Sequence, residues 1–362
     1  MLLTNYHSLR LENLNKKLSN LNLDGFFVCN QSNITYLTGF NSRESYLLIS
    51  KKNNIFITDF RYWEETKQYI KDFKFFSLKK LKEHISNTII ALSKRLKIKR
   101  LGFEANYISY ATYKKIKNNL PSYTDFVPTY DVIESIREIK SDMEIDKIRK
   151  SVEINIQTFH YAKKIIKVGL KEIEIAKKLE NFMKNKGGKP AFEIIVAAGA
   201  NSSFPHHISS KYRLKKNDVI LIDMGVDFEG YKSDLTRIFF LGKIPFIVKK
   251  IYCSVINAQK LALEIIKTQV SINKIDKSAR NYIKESGWGK YFGHALGHGI
   301  GLDVHEKPYI SSKNKDTIKR GMVFTIEPAV YLPKKFGIRI EDMVLFKGKE
   351  VEVLSAALDK ST

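Results

Sequence analysis

The chain has 362 residues, of which 43% are hydrophobic and 12% aromatic, and a net charge of +24. That length allows two domains, each with its own core. No apolar run reaches the roughly 18 residues of a transmembrane helix, so no helical membrane span is expected. The charge raises the question of a nucleic-acid partner. Its excess, however, is mostly lysine scattered in short pieces such as KRLKIKR, on loops and helix surfaces, so no nucleic-acid function is expected.

The first twenty residues lack the apolar core and cleavage site of a signal peptide. They read as an amphipathic helix with Leu9, Leu14, Leu18 and Leu21 along one face. Cys29 and Cys253 lie far apart in apolar surroundings, as expected of buried free thiols in a reducing cytoplasm. Up to about residue 130, β-rich runs (GFFVC, YLLIS, IFITDF, FKFFSL) alternate with turns and the helical stretch LKKLKEHISNTIIALSKRL, which predicts an α/β domain. A long helical pattern follows, with Met143, Ile145, Ile148, Val152, Ile156 and Phe159 at threes and fours. The pattern change places a domain boundary between 132 and 133.

The second domain, 133–362, reads as helix, hairpin, helices, hairpin. A helix (KEIEIAKKLENFMKNKG), a strand (FEIIVAAG) and a polar loop (ANSSFPHHISS) lead into the β-patterned pair DVILIDMGVDFEGYKSDLTRIFFLG. Helices near 246–268 and 273–286 precede the histidine-rich GHALGHGIGLDVHE and a second β-pair, GMVFTIEPAVYLPKKFGIRIEDMVLF. Two similar halves facing each other are the expected α+β arrangement.

Centring the first turn on DFEG pairs Val226 with Tyr231 and sets Asp223 opposite Asp234. Centring the second on Pro333–Lys335 pairs Leu332 with Phe336 and sets Glu327 opposite Glu341. Cross-strand neighbours lie about 4.5–5.5 Å apart at Cβ, where like charges destabilise a sheet. Burying unpaired carboxylates costs several kcal/mol each. Two such pairs in matching hairpins call for a shared cation, and the −4 of four carboxylates balances the +4 of two divalent ions, which matches a dinuclear site with one bridging hydroxide. His294 and His298 stand at i, i+4, but Gly293, Gly297, Gly299 and Gly301 argue against a helix there. Those glycines instead let the backbone pass close to a metal or a substrate.

These motifs in this order resemble the pita-bread metallopeptidases of the Xaa-Pro group, aminopeptidase P and prolidase. The N-terminal NITYLTGF and FITDFRY are similar to the creatinase-like domain that precedes the catalytic domain in that group. The resemblance implies Asp223, Asp234, His298, Glu327 and Glu341 as ligands of two divalent ions, with Asp234 and Glu341 bridging. Mn²⁺ is the usual metal of the group, and Co²⁺ or Zn²⁺ also suit the donors. His206, His294, His305 and Arg339 would line the substrate site. Glu327 would act as the proton carrier, and His294 or His305 would stabilise the tetrahedral intermediate.

The implied reaction is hydrolysis of the Xaa-Pro bond at the N-terminus of peptides or in dipeptides, by a cytoplasmic homodimer. Arg339 would meet the carboxylate of a short substrate. His207 has no counterpart in the family pattern and is expected to be an exposed loop residue. Ile238 stands where threonine often follows DLTR, so a hydrogen bond behind the ligands is expected to be missing. A methionine-aminopeptidase-like enzyme would leave the first 130 residues unexplained. A creatine-amidinohydrolase-like enzyme would need no metal ligands. A pita-bread module that only binds peptides is the non-enzymatic alternative.

Overall fold

The computed structural model describes residues 2–41, 44–51, 53–78 and 81–360. The chain divides into two compact units, with the boundary between Arg137 and Glu138. The first unit contains α1 (Leu2–Asn20), β1 (Gly25–Val28), α2 (Gln31–Thr38), β2 (Tyr46–Ser50), β3 (Asn54–Asp59) and α3 (Phe60–Tyr69). It continues with β4 (Lys74–Leu78), α4 (Leu81–Arg95), β5 (Arg100–Glu104), α5 (Tyr110–Asn119), β6 (Asp125–Thr129) and α6 (Glu134–Arg137). Its sheet runs in the order β4-β3-β2-β1-β5-β6. The β1–β2 and β2–β3 pairs are antiparallel and the remaining pairs parallel.

Strands of this sheet carry near-continuous apolar runs because helices cover it, and Phe27, Leu48, Ile57 and Leu101 pack with Ile89 of α4. Lys79 and Lys80, part of the helical stretch expected there, lie outside the described residues. In α1 the buried face is Leu11, Leu14 and Leu18, whereas Leu9 and Leu21 are exposed. The inward face follows i, i+3, i+7 from Leu11, whereas Leu9 lies on the opposite side of the helix and Leu21 follows its last residue, Asn20. Both thiols are free, but Cys253 is exposed rather than buried and Cys29 is only partly covered.

The second unit opens with α7 (Asp142–Ile165), α8 (Glu172–Asn185), β7 (Lys189–Pro190), β8 (Ile195–Ala198), β9 (Val219–Met224), β10 (Val226–Phe228), β11 (Tyr231–Lys232) and β12 (Leu235–Phe240). Then come α9 (Phe246–Glu264), α10 (Ile272–Glu285), β13 (Gly297–Gly299), β14 (Glu306–Ile310) and β15 (Val323–Ile326). The unit ends with β16 (Ala329–Leu332), β17 (Phe336–Arg339), β18 (Asp342–Phe346) and β19 (Val351–Val353). Strands β12-β9-β8 form one sheet and β14-β13-β15-β18-β19 another.

The two halves repeat a plan: α7 packs on α8 and α9 on α10, and α8 and α10 are each 14 residues long. Each of these second helices is entered through an isolated β-bridge, Lys171 to Arg213 and Ser271 to Thr317. An apolar core that includes Leu221, Ile238, Val255, Ile275, Phe324 and Ile338 lies behind the strands. Among the described residues, no helix is long and apolar enough to cross a membrane.

Candidate metal centre

The first hairpin turns one step later than its sequence suggested. Glu229 and Gly230 both take positive φ, 50° and 89°, which makes a two-residue turn that matches strand twist. Phe228 therefore pairs with Tyr231, and the same register sets Asp223 opposite Thr236, not Asp234. The slip is two residues, an even number, so every side chain keeps its face. Asp223 and Asp234 thus share a face on a diagonal. In the second hairpin Leu332 does pair with Phe336. The ladder breaks between Ala329–Arg339 and Ile326–Asp342, and Glu327 and Glu341 emerge at that break.

The acids converge with the histidine stretch. Asp234, His298 and Glu341 each place one ligand atom so that all lie within 4.8 Å of one another. His298 Nε2 is 3.7 Å from Asp234 Oδ2 and 3.4 Å from Glu327 Oε1. His298 is carried on β13 between two glycines that the packing demands. A Cβ at Gly297 would lie 2.0 Å from the Thr325 carbonyl oxygen, and one at Gly299 would lie 2.1 Å from that of Lys307. Asp223 completes the group, with Oδ2 accepting from the Arg339 guanidinium.

Electrostatics make this cluster costly without a cation. Burial, then the neighbouring carboxylates, pushes Asp234 and Glu341 well above the ordinary carboxylate range, and Glu327 likewise. Asp223 Oδ1 and Asp234 Oδ1 are buried with no hydrogen-bond partner among the described residues. Burial pushes the His298 imidazole down to about 4, so it is neutral at pH 7. Its Nδ1 faces the Gly299 carbonyl at 3.2 Å, which leaves Nε2 unprotonated toward the acids. Orphaned carboxylate oxygens and a bare imidazole nitrogen fit a divalent cation held by oxygen and nitrogen donors.

The cluster opens onto a cavity of about 880 Å³ whose lining includes His206, His294, His305, Tyr331 and Arg339. His206 and His305 are exposed, and His294 is half-buried. The His305 ring centre lies 4.3 Å from that of His298. His294 is pushed down to about 4, chiefly by burial. Its Nδ1 lies 2.8 Å from the Ala295 carbonyl, so Nδ1 carries the hydrogen and Nε2 presents a lone pair. Arg339 is buried, with its Nε donating to Thr236 Oγ1 at 3.0 Å and its Nη1 bonded to the Tyr331 hydroxyl.

Several residues acting here were not singled out beforehand. Thr236 Oγ1 donates to Glu341 Oε2 at 2.7 Å, so the bond behind the ligands exists two residues before Ile238, which is buried in the core. Thr325 Oγ1 accepts from the His298 amide at 3.1 Å and approaches Glu327 Oε1 at 3.4 Å. Both threonines belong to motifs already recognised, DLTR and TIEP, and their two-residue spacing from a ligand was the available signal. His207 is not an exposed loop residue: its side chain is 13% exposed and its Nε2 lies 2.9 Å from Glu172 Oε2. His206, expected at the substrate site, is the exposed member of the pair and lines the cavity.

Residues 146–347 match the sequence profile of metallopeptidase family M24, and residues 10–139 match the creatinase/prolidase N-terminal domain. The chain belongs to metallopeptidase family M24. A Xaa-Pro dipeptidase of Pyrococcus furiosus is 36% identical to this peptidase, over 93% of the chain and 94% of the relative. A solved Xaa-Pro dipeptidase from Bacillus anthracis superposes with a TM-score of 0.91 at 33% identity, covering 97% of this chain and 98% of that one. The solved X-Pro aminopeptidase of Thermotoga maritima gives 0.89 at 35% identity, covering 97% and 98%. This M24 peptidase therefore pairs a creatinase-type N-terminal domain with a pita-bread catalytic domain, and its family is one that binds divalent metal.

Proposed function

We propose that this peptidase hydrolyses the bond between a first residue and a following proline, in dipeptides or at the N-terminus of peptides. It would do so with two divalent ions held by Asp223, Asp234, His298, Glu327 and Glu341, Mn²⁺ being the usual metal of such sites. The single observation that carries the reading is the meeting of Asp234, His298 and Glu341 within 4.8 Å at the floor of a cavity that Asp223 and Glu327 also line. Relatives named Xaa-Pro dipeptidase and X-Pro aminopeptidase support the substrate class.

When bound, two such ions lower the pKa of a shared water and polarise the scissile carbonyl. Glu327 takes a proton from the attacking water and delivers it to the departing proline nitrogen. That nitrogen belongs to a tertiary amide without a hydrogen, so the site need not accept one there. His305, exposed beside His298, donates to the oxygen that gains charge. His294, whose Nε2 offers a lone pair, accepts a hydrogen bond from the substrate instead. His206 closes the site from the facing wall. Arg339 holds Asp223 in place and offers its charge to the carboxylate of a short substrate. A cytoplasmic homodimer is the setting we infer.

The test compares Ala-Pro, Ala-Pro-Ala and Met-Ala as substrates, before chelation, after it, and with Mn²⁺ restored. Cleavage of both proline peptides that stops on chelation and returns with Mn²⁺ is expected. Cleavage of Met-Ala alone, undiminished activity after chelation, or binding of fewer than two ions per chain overturns the reading. Light scattering that finds only monomer removes the dimer.

A further inference from the structure

One wall of the cavity is the loop between β8 and β9, which contributes Pro205, His206, His207 and Ile208 to the lining. Beyond a short 3₁₀ turn at Gly199–Ser203 the loop has no regular structure of its own. Something else must hold it still.

That anchor is Glu172, the first residue of α8 and fully buried. Its Oε1 accepts from the Ala198 amide at 2.7 Å and from Asn201 Nδ2 at 3.0 Å. Its Oε2 accepts from the Ser210 amide at 3.0 Å, from Ser210 Oγ at 2.6 Å and from His207 Nε2 at 2.9 Å. Burial alone would raise the carboxyl pKa, but these donors outweigh it and hold the group below its ordinary value. The positive end of α8 favours the same charge.

The donors bracket His206: Ala198 and Asn201 lie before it, His207 and Ser210 after it. From the same loop, Ser202 Oγ accepts from the Gly337 amide at 2.9 Å, and the Pro205 carbonyl accepts from Arg339 at 3.4 Å. The anchored wall therefore also braces β17, the strand that carries Arg339.

We propose that Glu172 is a positioning residue that acts through His207 and Ser210 to hold the 198–210 wall, and with it His206, against the substrate. The part assigned to His206 rests on the function proposed above, whereas the anchoring itself does not.

Two measurements test it. Hydrogen exchange of the 198–210 amides is compared in the wild type, Glu172→Gln, His207→Leu and His207→Gln. Because bonds to a buried charge are at stake, exchange across the wall is expected to accelerate about tenfold or more in the first two variants. The amides of β9 and β12 should stay protected, and the amide donor of His207→Gln should restore much of the protection. Ala-Pro kinetics are then run with each substitution in the wild-type and His206→Ala backgrounds. A rise in KM of about tenfold, larger than any fall in kcat, is expected in the first background, and less than about twofold in the second.

Unchanged exchange in the wall overturns the anchoring, whether or not Ala-Pro is cleaved. Equal effects in both backgrounds overturn the action through His206. A wild type that exchanges as expected but leaves Ala-Pro intact fails the substrate reading alone. Should Glu172→Gln not fold, the two His207 variants decide the matter.

Discussion

Thr236 donates its hydroxyl hydrogen to Glu341 at 2.7 Å and accepts one from Arg339 at 3.0 Å. One buried side chain thereby orients an acid of the metal cluster and the guanidinium that holds Asp223. Thr236→Val keeps the shape and removes both bonds. Metal affinity is expected to fall about tenfold to a hundredfold with the fold retained. Competition with a fluorescent chelator for Mn²⁺ measures it, and an unchanged affinity counts against the assignment.

Chelation should lower the melting temperature, because it leaves a buried cluster of acids that must either repel one another or take up protons. Metal at a hundred times its dissociation constant adds about 2.7 kcal/mol of stability by mass action. Asp234→Asn is expected to lose that increment, yet to melt above the wild type when both are metal-free, since one buried acid that must be protonated or repelled has gone. Calorimetry with and without EDTA separates the two effects.

Gly297→Ala should damage the centre from behind. The added methyl would lie 2.0 Å from the Thr325 carbonyl oxygen, and β13 must move away from β15 to admit it. The expected cost is roughly 3 kcal/mol of stability, from overpacking against backbone that cannot yield. Metal affinity should fall with it, since His298 rides on the displaced strand. Denaturant unfolding and metal titration of the same variant show whether both losses occur.

A pH effect is expected in the first unit. Burial pushes Glu104 up to about 7 from an ordinary 4.5, while hydrogen bonds from Asn30, Asn33 and Cys29 hold it down. A carboxyl raised on folding stabilises fully below its unfolded value and loses that contribution as pH climbs through the folded one. The β1 and β5 amides should therefore exchange faster at pH 8 than at pH 5, after correction for intrinsic rates, by up to roughly 3 kcal/mol of opening free energy. In Glu104→Gln the pH dependence should vanish whatever its absolute stability. A slope that persists in that variant assigns the effect elsewhere.

Much of the centre was legible because buried acids on apolar strands have few physical explanations. Asp223, Asp234, Glu327 and Glu341 stand among residues such as Ile222, Leu235, Ile326 and Ile340 that can only face a core. The register of the first hairpin was not legible, because DFEG and FEGY are both plausible turns. Positive φ at Glu229 and Gly230 chose the second. Since the error was an even number of residues, the facing of the acids survived it.

His207 could not be read from its surroundings. Its partner Glu172 lies 35 residues upstream, in the charged run KEIEIAKKLE where no single glutamate looks buried. Leu9 and Leu21 were misplaced for a simpler reason. Leu9 falls about 160° round the helix from Leu11, and Leu21 follows the last helical residue, Asn20.

The five proposed ligands are divided between the repeated halves: Asp223 and Asp234 precede the exposed connection at 241–245, and His298, Glu327 and Glu341 follow it. Neither half alone owns a complete set. A backbone nick in that connection would leave the fragments joined by the apolar core they share, with bound ions tightening the grip. The cations would then serve as a removable rivet between the two halves as well as in turnover, and a chelator would loosen the nicked protein without releasing its pieces.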